Sequence, residues 1–102
     1  MKDQTIYAVV DIETTGTNTE KDKMIQFACV LVQDRKIINH FSTDINPLQN
    51  IPKHIENLTG INNKQVAQAP YFEDVALIIK NLLTDCVFVA HNVYFDFGFL
   101  NS

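Results

Sequence analysis

Two short apolar runs, Ile6–Val10 near one end of the chain and Val87–Ala90 near the other, give way at once to polar stretches that carry Asp11, Glu13 and Asp96. Runs this short are strands rather than buried helices; Ile6–Val10 reads as a central strand buried on both faces and Val87–Ala90 as a short buried strand. A chain that begins and ends with such strands and has helical spacing between them is restricted to an α/β architecture.

The intervening segments fill in the order. Thr17 to Lys23, "TNTEKDK", is polar and reads as a loop. Met24–Val32 and Lys36–Asp44 are apolar and β-branched around "QDRK", which predicts a hairpin. In "IPKHIENLTG", Pro52 suits a helix start and Gly60 a helix end. Asn62 is placed to cap a further brief turn. Phe72, Val75, Ile79, Leu82 and Leu83 recur at helical spacing, predicting an amphipathic helix over Tyr71–Leu83. From Tyr94 onward the pattern is that of another helix. The last strand can then lie parallel to the first only through a right-handed crossover. Asp11 and the His91 region would meet at the carboxyl ends of neighbouring strands, where open α/β sheets hold their ligands.

The whole chain of 102 residues makes one domain with a real core. Its net charge of −4 counts against a broad basic face for nucleic acid, but not against contact with phosphate through metal ions. No apolar run approaches the roughly 18 residues of a membrane span. "MKDQTIYAVV" lacks the core and cleavage site of a secretory signal. A cytoplasmic protein with no membrane partner is expected. Cys29 and Cys86 read as buried free thiols, because neither has a metal-ligand neighbour and a reducing compartment disfavours disulfides.

Asp11 and Glu13 are two apart at a strand end, so both project to one side of the sheet. Asp96 would approach them from the start of the last helix. Two carboxylates held close repel unless a cation or strong donors intervene. Three such oxygens suit Mg²⁺ or Mn²⁺. Taken singly, each acid has an ordinary reading: "ETTG" is turn chemistry, and Asp96 favours a helix dipole. Their joint placement at both ends of one α/β unit favours a site.

"VVDIETTG" resembles the first motif of the DEDD-superfamily, DnaQ-like 3′→5′ exonucleases related to the epsilon subunit of DNA polymerase III. "VAHNVYFDFGFL" resembles their second motif, and "LTGINNKQVAQAP" their connecting segment. The likeness covers nearly the whole chain. It implies a ribonuclease H-like fold, a mixed sheet with flanking helices, and two Mg²⁺ or Mn²⁺ ions that stabilise the attacking and leaving oxygens of a phosphoryl displacement. By the same resemblance Asp11 would bridge both ions, Glu13 would serve the nucleophile side and Asp96 the other. Thr14 would meet the terminal 3′-OH beside Thr15, His91 and Asn92 would position substrate, and Phe95 would lie near the terminal bases. Phe95 serves equally well as core filling, and His40 and His54 read as surface histidines. The partner would be a nucleic-acid 3′ end, single-stranded DNA ahead of RNA.

The family's third motif, a general-base His in an "H-x-A-x-x-D" stretch, does not occur in these residues. Loss of a general base typically costs about 10²–10⁴-fold. The expectation is therefore the N-terminal part of a single exonuclease domain over residues 1–102, ending before a fifth strand and weak or inactive alone. An uncovered apolar edge at Val87–Ala90 would favour self-association. Gln26 in "MIQFACV" and the short start are similar to the exonuclease domain fused to DinG-type helicases, while a polymerase-associated parent is the other option. The alternative function is a module of the same fold that holds a nucleic-acid end or a partner without cutting it.

Overall fold

A computed structural model describes residues 4–101. Its elements run β1 (Ile6–Thr14), β2 (Met24–Gln33), β3 (Lys36–Asp44), α1 (Lys53–Thr59), α2 (Asn63–Val66), α3 (Phe72–Leu83), β4 (Val87–Val89) and α4 (Val93–Leu100). The sheet order is β3-β2-β1-β4. β1–β2 and β2–β3 are antiparallel, and β4 runs parallel to β1 with Ala8 opposite Phe88. Both strand ends therefore point the same way, as expected from the order of elements.

Local chemistry explains the boundaries. The hairpin closes in two residues, Asp34 at φ 54° and Arg35 at φ 67°, the twist that suits a tight connection. Gly60 ends α1 in the left-handed conformation at φ 78°, and its N–H donates to the Glu56 carbonyl at 2.8 Å. Asn62 caps α2 by accepting from the Gln65 N–H at 2.8 Å. α3 starts after Pro70, where the Asp74 carboxylate accepts from the Tyr71 N–H at 3.0 Å.

The main core lies on one face of the sheet. Ala8, Val10 and Ile12 of β1 and Phe27, Cys29 and Leu31 of β2 pack against Val75 and Ile79 of α3 and Phe99 of α4. A second cluster joins Ile25 to Ile51, Ile55, Ile61 and Val66, which fixes α1 and α2 at one end of the sheet. The two clusters are separated by a bulge. The β1–β2 register slips between Glu13 and Thr14, skipping Ile25, so Met24 joins Phe27 in the main core while Ile25 turns to the second cluster.

The expectation that Ile6–Val10 is buried on both faces is corrected, and the short strand at Val87–Val89 lies at the sheet edge with its valines partly exposed. Tyr7, Val9, Val87 and Val89 are 39%, 43%, 47% and 38% exposed, while Ala8 between them is fully buried. The register places all four on the same face, which α3 and α4 leave uncovered among the described residues. Apolar character on both sides of these strands is real, but only one side is filled. Cys86 likewise is only half-buried, although both thiols are free. Among the described residues no helix is long and apolar enough to cross a membrane.

Candidate active site

Period-two alternation puts Asp11 and Glu13 on the open face of β1, opposite Ala28 and Gln26 of β2. Asp11 is exposed and Glu13 half-buried. Asp96 comes from the first turn of α4 and is 7% exposed. The helix is aimed by its cap: the Asn92 side chain accepts from the Phe95 N–H at 3.1 Å. Phe99, one turn beyond Asp96, is anchored in the main core.

The three carboxylates feel one another. Burial raises the Glu13 carboxyl above its usual range, and the charges of Asp11 and Asp96 push it the same way. Burial likewise raises Asp96, helped by Asp11; the His91 imidazole and the backbone N–H of Asp96 itself pull it down. Among the described residues no Lys or Arg pairs with any of the three. Nor do any three His, Cys, Asp or Glu groups among them close around one point. The donor set and its uncompensated charge suit a hard divalent cation. Its oxygens do not form a finished cage.

The other expected site residues have defined places. Thr14 is 7% exposed and its hydroxyl donates to the Gly16 carbonyl at 2.5 Å. Thr15 is 2% exposed, and its hydroxyl meets Gln49 Oε1 at 2.6 Å and Asp22 Oδ1 at 3.1 Å. His91 is exposed beside the acids. Phe95 is half-buried with its ring centroid 5.0 Å from that of Phe99. His40 and His54 are exposed, as expected.

Sequence reasoning passed over two polar assemblies near the acids. One is Thr15–Asp22–Gln49. The other lies beyond Glu13 on the same face, where Asp44 accepts from Gln26 Nε2 at 3.0 Å and from Gln65 Nε2 at 2.9 Å. No local pattern marks them, since Gln49 is 34 residues from Thr15 and Gln65 is 21 from Asp44. On the helical side, a cleft of about 390 Å³ opens between Lys23, Met24, Pro47, Leu48, Tyr71 and Phe99.

Comparison with known proteins adds an independent line. Residues 8–102 match the family model described as "Exonuclease", RNase_T. The chain is 46% identical over 95 residues to 3'-5' exonuclease DinG of Bacillus subtilis (strain 168), covering 92% of this chain and 10% of that protein. It is 43% identical over 96 residues to the protein of the same name from Staphylococcus epidermidis, covering 94% of this chain and 11% of that protein. The chain thus spans about a tenth of the length of these relatives. Among solved structures, exonuclease I superposes with a TM-score of 0.85 at 22% identity, over 96% of this chain and 24% of that one. Exonuclease X, solved in complex with 5' overhanging duplex DNA, superposes at 0.78 with 31% identity, over 92% of this chain and 53% of that one. The shared fold is the ribonuclease H-like one.

Proposed function

Because the chain belongs to the RNase_T exonuclease family, we propose that it forms part of a domain removing nucleotides from nucleic-acid 3′ ends, DNA ahead of RNA. The observation that carries this reading is the approach of Asp11 and Glu13 on β1 and Asp96 on α4 to one end of the sheet, close enough that the Asp11 charge adds to burial in raising the proton affinity of Glu13 and Asp96.

In this reading Asp11, Glu13 and Asp96 hold two divalent cations, Mg²⁺ or Mn²⁺. Bound there, the ions supply charge neutralisation for the attacking and leaving oxygens of phosphodiester hydrolysis. The chain's own residues supply placement. Thr14 and Thr15 follow Glu13 on the same strand end and would face the terminal sugar. His91 is exposed beside Asp96 and free to position a phosphate. Asn92 acts through the helix it caps, and Phe95 steadies that helix against Phe99.

The sequence contains no H-x-A-x-x-D stretch, and this favours a second reading for the 102-residue chain taken alone: it binds an end without cutting it. The parent protein, joined to a helicase or serving a polymerase, is part of the proposal. We also propose that the chain self-associates through the open face at Tyr7, Val9, Val87 and Val89. In sedimentation velocity a concentration-independent monomer would reject that association.

Calorimetric titration with Mn²⁺ tests the central reading. Binding in the native chain that disappears in Asp11→Ala supports it, whereas equal binding in both chains rejects it. Incubating 3′-labelled single-stranded DNA with the chain then separates cutting from holding. Label release means catalysis, and a mobility shift with intact label means a binding module.

A further inference from the structure

We infer that Gln49, on the loop after β3, is a positioning residue for Glu13. The inference rests on the metal reading above and concerns how the chain aims one ligand of that site.

The argument starts from the bulge. Up to Glu13 the β1–β2 ladder is regular, but the register slips between Glu13 and Thr14. Past that point the ladder resumes for a single pair, Thr14 opposite Met24, and then ends. Something else has to hold the turn at Thr15 and Gly16, and a set of hydrogen bonds does so. The Thr15 N–H donates to the Lys23 carbonyl at 2.9 Å, and the Lys23 N–H returns a bond to the Thr15 hydroxyl at 3.0 Å. A hydroxyl has one hydrogen to give. At 2.6 Å to Gln49 Oε1 against 3.1 Å to Asp22 Oδ1, it goes to Gln49. The amide end of Gln49 donates to the Lys21 carbonyl at 3.1 Å. One side chain therefore grips both limbs of the β1–β2 connection.

Gln49 is itself presented on a fixed loop. The Ile45 N–H bonds the Ile25 carbonyl at 2.9 Å, and the Asn46 N–H bonds the Pro70 carbonyl at 2.8 Å. Between Asn46 and Gln49 the chain turns at Leu48, a non-glycine residue at φ 58°, with its N–H held by Asn46 Oδ1 at 3.0 Å. A bulky residue kept in that region costs free energy, and such outliers persist where the surroundings over-determine them. Asp22 completes the assembly. Its Oδ2 accepts from the Asn18 N–H at 3.0 Å, and its carboxylate occupies the space a Cβ on Gly16 would need. Glu13 lies two residues upstream of the gripped Thr15, so the grip sets where the Glu13 end of β1 points relative to Asp11 and Asp96.

The test uses the ¹⁵N-labelled 102-residue chain titrated with Mn²⁺, reading paramagnetic broadening of the Asp11, Glu13 and Asp96 amides alongside a thermal melt. The wild type is expected to broaden at these positions. Gln49→Ala should need about tenfold more Mn²⁺, the scale expected when a group orienting a metal ligand is lost. Gln65→Ala removes an exposed amide contact to Asp44 and should leave the midpoint unchanged. If Gln49→Ala melts below the working temperature, Thr15→Val takes its place with the same expected shift. Thr15→Ser keeps the hydroxyl and should restore the wild-type midpoint. An unchanged midpoint in Gln49→Ala, or in its Thr15→Val replacement, overturns the positioning role and leaves the metal reading standing. The absence of broadening at all three wild-type amides overturns both.

Discussion

Replacing Asp96 by Asn should stabilise the metal-free chain. Asp96 is 7% exposed. Its ionised form is less favourable folded than unfolded, because burial and the Asp11 charge outweigh His91 and the backbone N–H of Asp96. Asn keeps the shape and an oxygen able to accept the N–H, but carries no charge. The substitution gives up the attraction between a first-turn carboxylate and the helix dipole, about 0.3–1 kcal/mol. In exchange it removes a buried, repelled charge, and relief of this kind commonly contributes about 0.5–2 kcal/mol. The raised proton affinity fixes the sign of the balance, and a net gain of about 0.5 kcal/mol at neutral pH is expected. For a domain of this size that is a rise of about 2–4 °C in Tm.

The pH dependence makes the test specific. The folded-state proton affinity of Asp96 lies above its ordinary value of 3.8, so the wild type binds more protons folded than unfolded in the window above that value. Its stability is then full below the ordinary pKa and is lost as pH rises through the raised one. Glu13, raised from 4.5, adds a loss of the same sign. Thermal melts by circular dichroism in EDTA should therefore coincide for wild type and Asp96→Asn in acid and diverge towards neutral pH. In Mn²⁺ at a hundred times Kd the wild type gains about 2.7 kcal/mol and overtakes the variant. An Asn variant that melts lower at neutral pH, or a gap that stays constant from acid to neutral, would refute the reasoning.

Three further outcomes follow from the fold. Arg35→Gly at φ 67° removes a left-handed penalty in the hairpin and should add about 0.5–1 kcal/mol in urea unfolding, with an unchanged m-value. Phe27→Ala empties a fully buried site between the sheet and its helices, and should lose about 3–5 kcal/mol in the same assay. Val89→Lys puts a charge on the open apolar face, where Val89 is 38% exposed; it should cost little stability and lower the sedimentation coefficient of any associated form at high concentration.

What the sequence revealed follows the range of the interactions involved. The caps at Gly60 and Asn62, the two-residue hairpin at Asp34–Arg35 and the start of α3 are decided within four residues, and each was readable. Asp11 and Glu13 were readable for the same reason, because period-two alternation alone puts them on one face. The two-faced burial expected for β1 fails because hydropathy records what a side chain prefers, not whether an element arrives to cover it. Val9 and Val10 are alike in sequence, yet one is 43% exposed and the other 3%.

Gln49 lies at the far end of that scale. Nothing near it in sequence distinguishes "NPLQN" from any polar loop, and its partner Thr15 is set 34 residues away by the packing of β2 and β3. The same folding event that brings β2 beside β1 also carries Ile25 into the α1–α2 cluster and slips the register beside Glu13. The bulge and the grip that compensates for it thus arise together. An acid at the end of a strand can be placed by local pattern, but its direction depends on contacts that exist only once the sheet has formed. The carboxylates of this site are therefore local information, and their aim is tertiary.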